Sequence, residues 1–205
     1  MKYKDLQRYF PDRIFTFAEL HQVIPESRES VRAQIQVMVK RGDVQPLKRG
    51  VYCLAHATVT PYQISNKLVQ PSYLSLETAL AQYQLIPDVI RSLTAITSKK
   101  TQSYQNSMGL FVYRHLPHHQ FFGITEEKGI LLASPEKALL DYLYLNSRQF
   151  SVTISCLQEA RFQNLETLDF ALLKTYAKKF NQKKLIALVH LLESYLHSSD
   201  YGHYL

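Results

Sequence analysis

Between Ser27 and Gly42 the apolar side chains fall at Val31, Ile35, Met38 and Val39. That is the i, i+4, i+7, i+8 spacing of a helix that buries one stripe. Ser27 can cap its start, and Gly42 can take the left-handed turn that ends it. The opposite side of this helix carries Glu29, Ala33, Gln36 and Lys40, flanked by Ser30, Arg32 and Val37. Upstream, Thr16-Phe17-Ala18-Glu19 has the form of a capping box, in which hydroxyl and carboxylate serve each other's end of the first turn. The helix it opens runs to about Ile24 and buries Phe17, Leu20 and Val23 or Ile24. Pro25-Glu26 then supplies the turn. Met1 to Tyr9 predicts a shorter first helix, closed by Phe10-Pro11-Asp12. Two short helices joined by a tight turn make a helix-turn-helix. Two short apolar runs follow around a basic turn, within Asp43 to Leu54, with Gly50 free to adopt positive φ. Such a hairpin is the wing of a winged helix.

The polar stretch Ala55 to Thr60 marks the expected boundary. Helices are predicted from Pro61 to about Val69 and from Pro71 to Tyr83. The second is capped by Ser72 or Ser75 and has a stripe at Leu76, Ala79, Leu80 and Tyr83. Leu93–Thr97 and Thr101–Tyr104 alternate like strands around Lys99-Lys100. Leu110–Leu116 is the strongest strand signal. Phe121–Ile124 and Gly129–Ala133 complete a small antiparallel sheet, with Glu126 to Gly129 as the last turn. Ser134-Pro135 is a firm helix start, and Ala138, Leu139, Tyr142 and Leu143 face a core. From Thr153 onward the pattern is helical, over 154–162, 168–179 and 183–196, before a polar tail after His197. The expected fold class is α+β. A winged helix-turn-helix spans 1–57, and a C-terminal domain spans 61–205 with a sheet part at 61–133 and a helical part at 134–197.

Charge gives this pattern a direction. The chain of 205 residues has a net charge of +7. Residues 1–57 hold 10 Lys and Arg against 6 Asp and Glu, whereas the remaining 148 hold 14 against 11. A polyanion is therefore a plausible partner, with nucleic acid first and an acidic protein surface second. On the predicted second helix of the unit, Ser30, Arg32, Gln36 and Lys40 address a major groove, where amides and guanidinium groups read base edges. Arg28 sits toward the core side of the wheel and serves as a first-turn phosphate contact. Lys48 and Arg49 at the wing turn clamp the backbone or minor groove. The plainer alternatives are an amphipathic surface helix and a winged helix that docks protein rather than DNA.

Other chemistry is sparse. Cys53 and Cys156 are too few and too far apart for a disulfide framework, and they fit a reducing cytosol. No apolar stretch matches a signal peptide or a bilayer span, so a cytoplasmic, nucleoid-associated protein with no membrane partner is expected. His115, His118 and His119 lie close in sequence but lack a helix to converge them, and no metal site or cofactor is expected. Glu136, Lys137 and Asp141 could be read as acid and base groups. Their pattern is that of an ordinary surface helix with an i, i+4 ion pair, and neither a phosphate loop nor a nucleophile motif accompanies them. No catalytic residue is assigned. Lys99-Lys100, Lys178-Lys179 and Lys183-Lys184 are basic steps that would extend a DNA footprint if they shared the wing's face.

Three segments carry a family resemblance. Leu47-Lys48-Arg49-Gly50-Val51-Tyr52 follows the helix-turn-helix. Pro71-Ser72-Tyr73-Leu74-Ser75-Leu76-Glu77-Thr78-Ala79-Leu80 comes next, and then Ser134-Pro135-Glu136-Lys137-Ala138-Leu139-Leu140-Asp141. In this order and spacing, over roughly residues 5–145, the chain resembles the AbiEi antitoxins, the transcriptional-regulator antitoxins of type IV abortive-infection toxin–antitoxin pairs. The resemblance implies a winged helix that binds inverted repeats in its own promoter and represses the operon. It also implies a C-terminal domain that opposes a nucleotidyltransferase-like toxin without necessarily holding it tightly, and self-association of antitoxin copies on DNA. The readings left beside it are an orphan repressor and a nucleic-acid-processing enzyme that uses the winged helix for targeting.

Overall fold

A computed structural model describes residues 3–10, 14–55 and 57–198. Met1 and Lys2, the expected helix stop at Pro11-Asp12 and the tail from Ser199 lie outside the described residues. The chain divides into two units, residues 1–70 with 104–110, and residues 71–103 with 111–205.

The first unit runs α1 (Tyr3–Tyr9), β1 (Ile14–Thr16), α2 (Phe17–Val23), α3 (Arg28–Arg41), β2 (Val44–Lys48), β3 (Val51–Leu54) and α4 (Pro61–Leu68). The capping box forms at α2: the Glu19 amide donates to Thr16 Oγ1 at 3.1 Å, and the Thr16 amide donates to Glu19 Oε2 at 2.7 Å. At α3 the Ser30 amide donates to Ser27 Oγ at 3.2 Å, and Gly42 closes the helix at φ +79°. Val31, Ile35 and Met38 are buried against Leu6, Phe15, Leu20 and Ile24. Each such side chain contributes about 1.5–3 kcal/mol when fully removed from water. On α2 the expected burial holds at Leu20 and at Ile24, the alternative to the exposed Val23, whereas Phe17 is only half-buried. The hairpin gains a third strand that the pattern does not reveal, β1, which gives the order β1-β3-β2. With β2 at an edge, Pro46 needs no ladder partner for its missing N–H. The Phe17 amide donates to Gly50 O at 2.8 Å, tying the start of α2 to the turn between β2 and β3. This unit is a winged helix-turn-helix.

The second unit contains β4 (Ser72–Leu74), α5 (Leu76–Gln82), β5 (Leu93–Thr97), β6 (Gln102–Asn106), β7 (Gly109–His115), β8 (Ile124–Glu127), β9 (Ile130–Ala133), α6 (Pro135–Leu145), α7 (Ile154–Glu159), α8 (Phe170–Phe180) and α9 (Lys183–Leu196). Residues 104–110, at the turn end of β6 and β7, group with the first unit.

The sheet is larger than expected and mixed, with the order β6-β7-β5-β4-β9-β8. β5 runs parallel to β7, and β4 runs parallel to β9. The antiparallel expectation assumed that consecutive strands are neighbours. Here β6 lies beyond β7, so Lys99-Lys100 is not the turn of a paired hairpin.

The predicted helix over Pro71–Tyr83 is also corrected. Its first residues form strand β4, and the chain turns into α5 through Leu76 at φ +56°. Neither Ser72 nor Ser75 caps it: Ser72 lies in the strand, and the Ser75 hydroxyl donates to Asp141. Leu80, Leu139, Leu140, Leu173 and Leu188 are fully buried in the core between sheet and helices.

Candidate nucleic-acid interface

The outward face of α3 follows from its buried stripe. With Val31, Ile35 and Met38 turned inward, Glu29, Arg32, Ala33, Gln36, Val37 and Lys40 are all exposed. Val37 offers an apolar patch of the kind that meets a thymine methyl in a major groove. Arg28 is exposed at the first turn. Its guanidinium carbon lies 5.8 Å from the centroid of the Phe17 ring, and that of Arg32 lies 5.7 Å from the same ring. Phe17 is therefore a shared platform that orients two cations at the junction of α2 and α3. The sequence pattern placed Phe17 in the core; this pairing joins residues 11 and 15 positions apart, beyond any helical spacing.

Ser30 differs from its neighbours. Its hydroxyl donates to Glu26 Oε2 at 2.6 Å and accepts from Gln34 Nε2 at 3.0 Å. The side chain is half-buried and is bonded to the turn before α3. Glu26 is held below the usual carboxylate range by that hydroxyl, against a smaller opposing effect of burial.

At the wing, Gly50 adopts φ +80° and leaves Arg49 exposed at the turn. Lys48 is half-buried, with its ammonium 4.7 Å from the centroid of the Tyr104 ring. Nearby, Asn106 Nδ2 donates to Leu47 O at 3.1 Å, and Gln45 bonds to Ser107. Of the two basic residues expected to clamp a backbone, Arg49 is presented outward and Lys48 is braced by an aromatic ring. Tyr104 gave no sequence signal, because its partner lies more than fifty residues away.

No family model matches the chain, and no curated protein matches it.

The remaining candidate chemistry lies in the second unit. Glu136, Lys137 and Asp141 do not form a surface helix face, since all three are buried and Lys137 and Asp141 are fully so. Lys137 pairs with Asp141 and donates to Tyr73 Oη at 2.9 Å. Asp141 accepts from Tyr73 at 3.0 Å and from Ser75 at 2.8 Å. The Lys137 ammonium also lies 5.0 Å from the Phe122 ring centroid and 4.9 Å from that of Phe180. Burial raises the Asp141 carboxyl and lowers the Lys137 ammonium, each opposed by the attraction of the other. Neither the Lys137 nor the Asp141 side chain is open to solvent.

His115 is exposed at the end of β7 and pairs its Nδ1 with Lys99 O at 3.0 Å; His118 stacks on Phe121. Among the described residues no group of three or more His, Cys, Asp or Glu is placed to hold a metal ion. Lys179 lies over Phe122 and Tyr176, and Lys184 donates to Ser147 O. No helix among the described residues is long and apolar enough to cross a membrane.

Proposed function

We propose that the chain is a DNA-binding transcriptional repressor that works without catalytic turnover. The supporting observation is the continuous exposed row on α3, which carries Arg32, Gln36 and Lys40, together with the exposed Arg49 at the wing turn. Arg32 and Gln36 address base edges. Arg28, Lys40 and Arg49 address phosphates, with Lys48 in a supporting position. The bonded hydroxyl of Ser30 makes it a minor contributor.

The resemblance to the AbiEi antitoxins extends the reading: the repressor acts on inverted repeats before its own gene, associates with further copies there, and opposes a nucleotidyltransferase-like toxin. This extension draws support from the resemblance alone. It is consistent with the buried network that joins two of the resembling segments, through Tyr73 and Ser75 on one side and Lys137 and Asp141 on the other.

The test is a gel-shift titration against the DNA preceding the gene, repeated across salt concentrations. Binding should weaken with salt at a slope of about −0.9 per phosphate contacted. Absent or salt-insensitive binding would replace this reading with a protein-docking winged helix. Turnover of DNA, RNA or nucleotides by pure protein with divalent metals would replace it with an enzyme. Co-expression with the product of the adjacent gene tests the antitoxin part: growth should be rescued without co-purification being required.

A further inference from the structure

The second unit holds a cavity of about 360 Å³, in the lower part of the size range of small-molecule sites. Its wall is drawn from α5, the segment leading to β5, strands β5 and β7, and α6. Glu77 lines it, and Glu77 Oε2 is buried without a hydrogen-bond partner among the described residues. A buried carboxylate oxygen left unpaired is unfavourable, and it marks a place where a donor from outside the chain would be accepted.

Arg91 and Arg114 line the same cavity. Arg114 reaches the carbonyl of Leu145 with one nitrogen at 3.4 Å, which leaves most of its five donors unengaged by that contact. With Asp88, the wall carries two acids and two arginines, and none of the four is in an ion pair among the described residues. Ile86, Ile90 and Val112 give the same wall apolar surface.

One side of the wall is held by hydrogen bonds. Thr78 and Thr94 exchange amide-to-hydroxyl bonds at 3.0 and 2.7 Å, and Leu76 beside them is held at φ +56°. A leucine in the left-handed region costs energy and persists where its surroundings over-determine it, as at ligand sites.

We propose that this cavity binds a small zwitterion, a free amino acid with an apolar side chain. Its ammonium donates to Glu77, its carboxylate accepts from Arg91 or Arg114, and its side chain packs on Ile86, Ile90 and Val112. A wall of balanced charge with both poles unpaired favours a ligand that also carries both poles. An amine or a carboxylic acid alone would leave one end of the wall unanswered.

The experiment uses the full chain without DNA, so its outcome is independent of the repressor reading. Free amino acids are screened by thermal shift, and the best is titrated by calorimetry. At least one apolar amino acid should raise Tm, and the amine and the carboxylic acid bearing the same side chain should not. Glu77→Gln keeps the shape and should weaken binding about tenfold to a hundredfold, the effect of losing one charge-assisted hydrogen bond. Arg91→Ala alters an exposed side chain, so its fold is secure, and together with Arg114→Gln it should weaken binding to a similar degree. The proposal is overturned if no amino acid shifts Tm, if the lone amine or acid binds as well, or if Glu77→Gln and the double arginine variant bind like the parent.

Discussion

Lys137 and Asp141 are paired across one turn of α6 with neither side chain open to solvent. Two ions so placed recover their lost hydration through each other, through the hydroxyls of Tyr73 and Ser75, and, for the ammonium, through the Phe122 and Phe180 rings. Removing one partner should cost more than removing both. Asp141→Asn should destabilise the protein by about 3–5 kcal/mol, and Lys137→Met with Asp141→Leu should recover much of that loss. Urea denaturation of the three proteins decides it. A double variant at least as unstable as Asp141→Asn would mean that shape, not charge, holds this site together.

That pair shows how far the sequence could be read. The i, i+4 spacing of Lys137 and Asp141 was legible, and so was the helix start at Ser134-Pro135. Their burial was not, because it depends on β4 and on Phe122 and Phe180 arriving from distant segments. Local signals fared well elsewhere: the Thr16–Glu19 box, the Ser27 cap and the left-handed Gly42 all form. Strand order was not legible, since β5 beside β7 and β4 beside β9 are pairings between non-consecutive strands that no hydrophobic alternation encodes. At the candidate interface, the outward row of α3 could be read from periodicity. Phe17 beneath Arg28 and Arg32, and Tyr104 beneath Lys48, could not.

Gly123 sits against the same buried lysine. Its φ is +62°, and a Cβ there would lie 2.7 Å from the Tyr176 ring and 3.1 Å from Lys137 Cβ. Gly123→Ala therefore combines a left-handed backbone with an overpacked contact, and should destabilise by about 1–3 kcal/mol. The shift in urea midpoint measures this. Because the site lies in the second unit, DNA affinity per folded molecule should be unchanged.

Glu19 offers a pH test in the first unit. Burial raises its pKa, but this is outweighed by the bond from Lys67 at 2.5 Å and by the bonds from Thr16, so the folded value lies below 4.5. A carboxylate with a depressed folded pKa contributes stability that is present above its unfolded value and is lost as pH falls through the folded one. Stability should therefore decline below about pH 4.5, and Glu19→Gln should lessen that decline while keeping the capping bond that an amide can still make. Melting curves of both proteins from neutral to acid pH test this. Parallel profiles would show that the carboxylate's charge is not coupled to folding.

At the candidate interface the structure separates residues that look alike in sequence. Arg49 is exposed at the wing turn, whereas the Lys48 ammonium already rests on Tyr104. If both simply met phosphate, Arg49→Ala and Lys48→Ala would be equivalent. The geometry instead predicts that Arg49→Ala weakens binding to all sequences alike and lowers the salt slope by about 1, with a smaller effect from Lys48→Ala. On α3, Gln36→Ala and Arg32→Ala should change which sequences are preferred, by about 1–3 kcal/mol per lost base contact. Ser30→Ala should leave preference intact, because its hydroxyl is bonded to Glu26. Gel shifts on a set of single-base operator variants at two salt concentrations resolve these effects. If Gln36, Arg32 and Arg49 variants all bound like the parent, α3 would be only a solvated face and the wing only a structural hairpin.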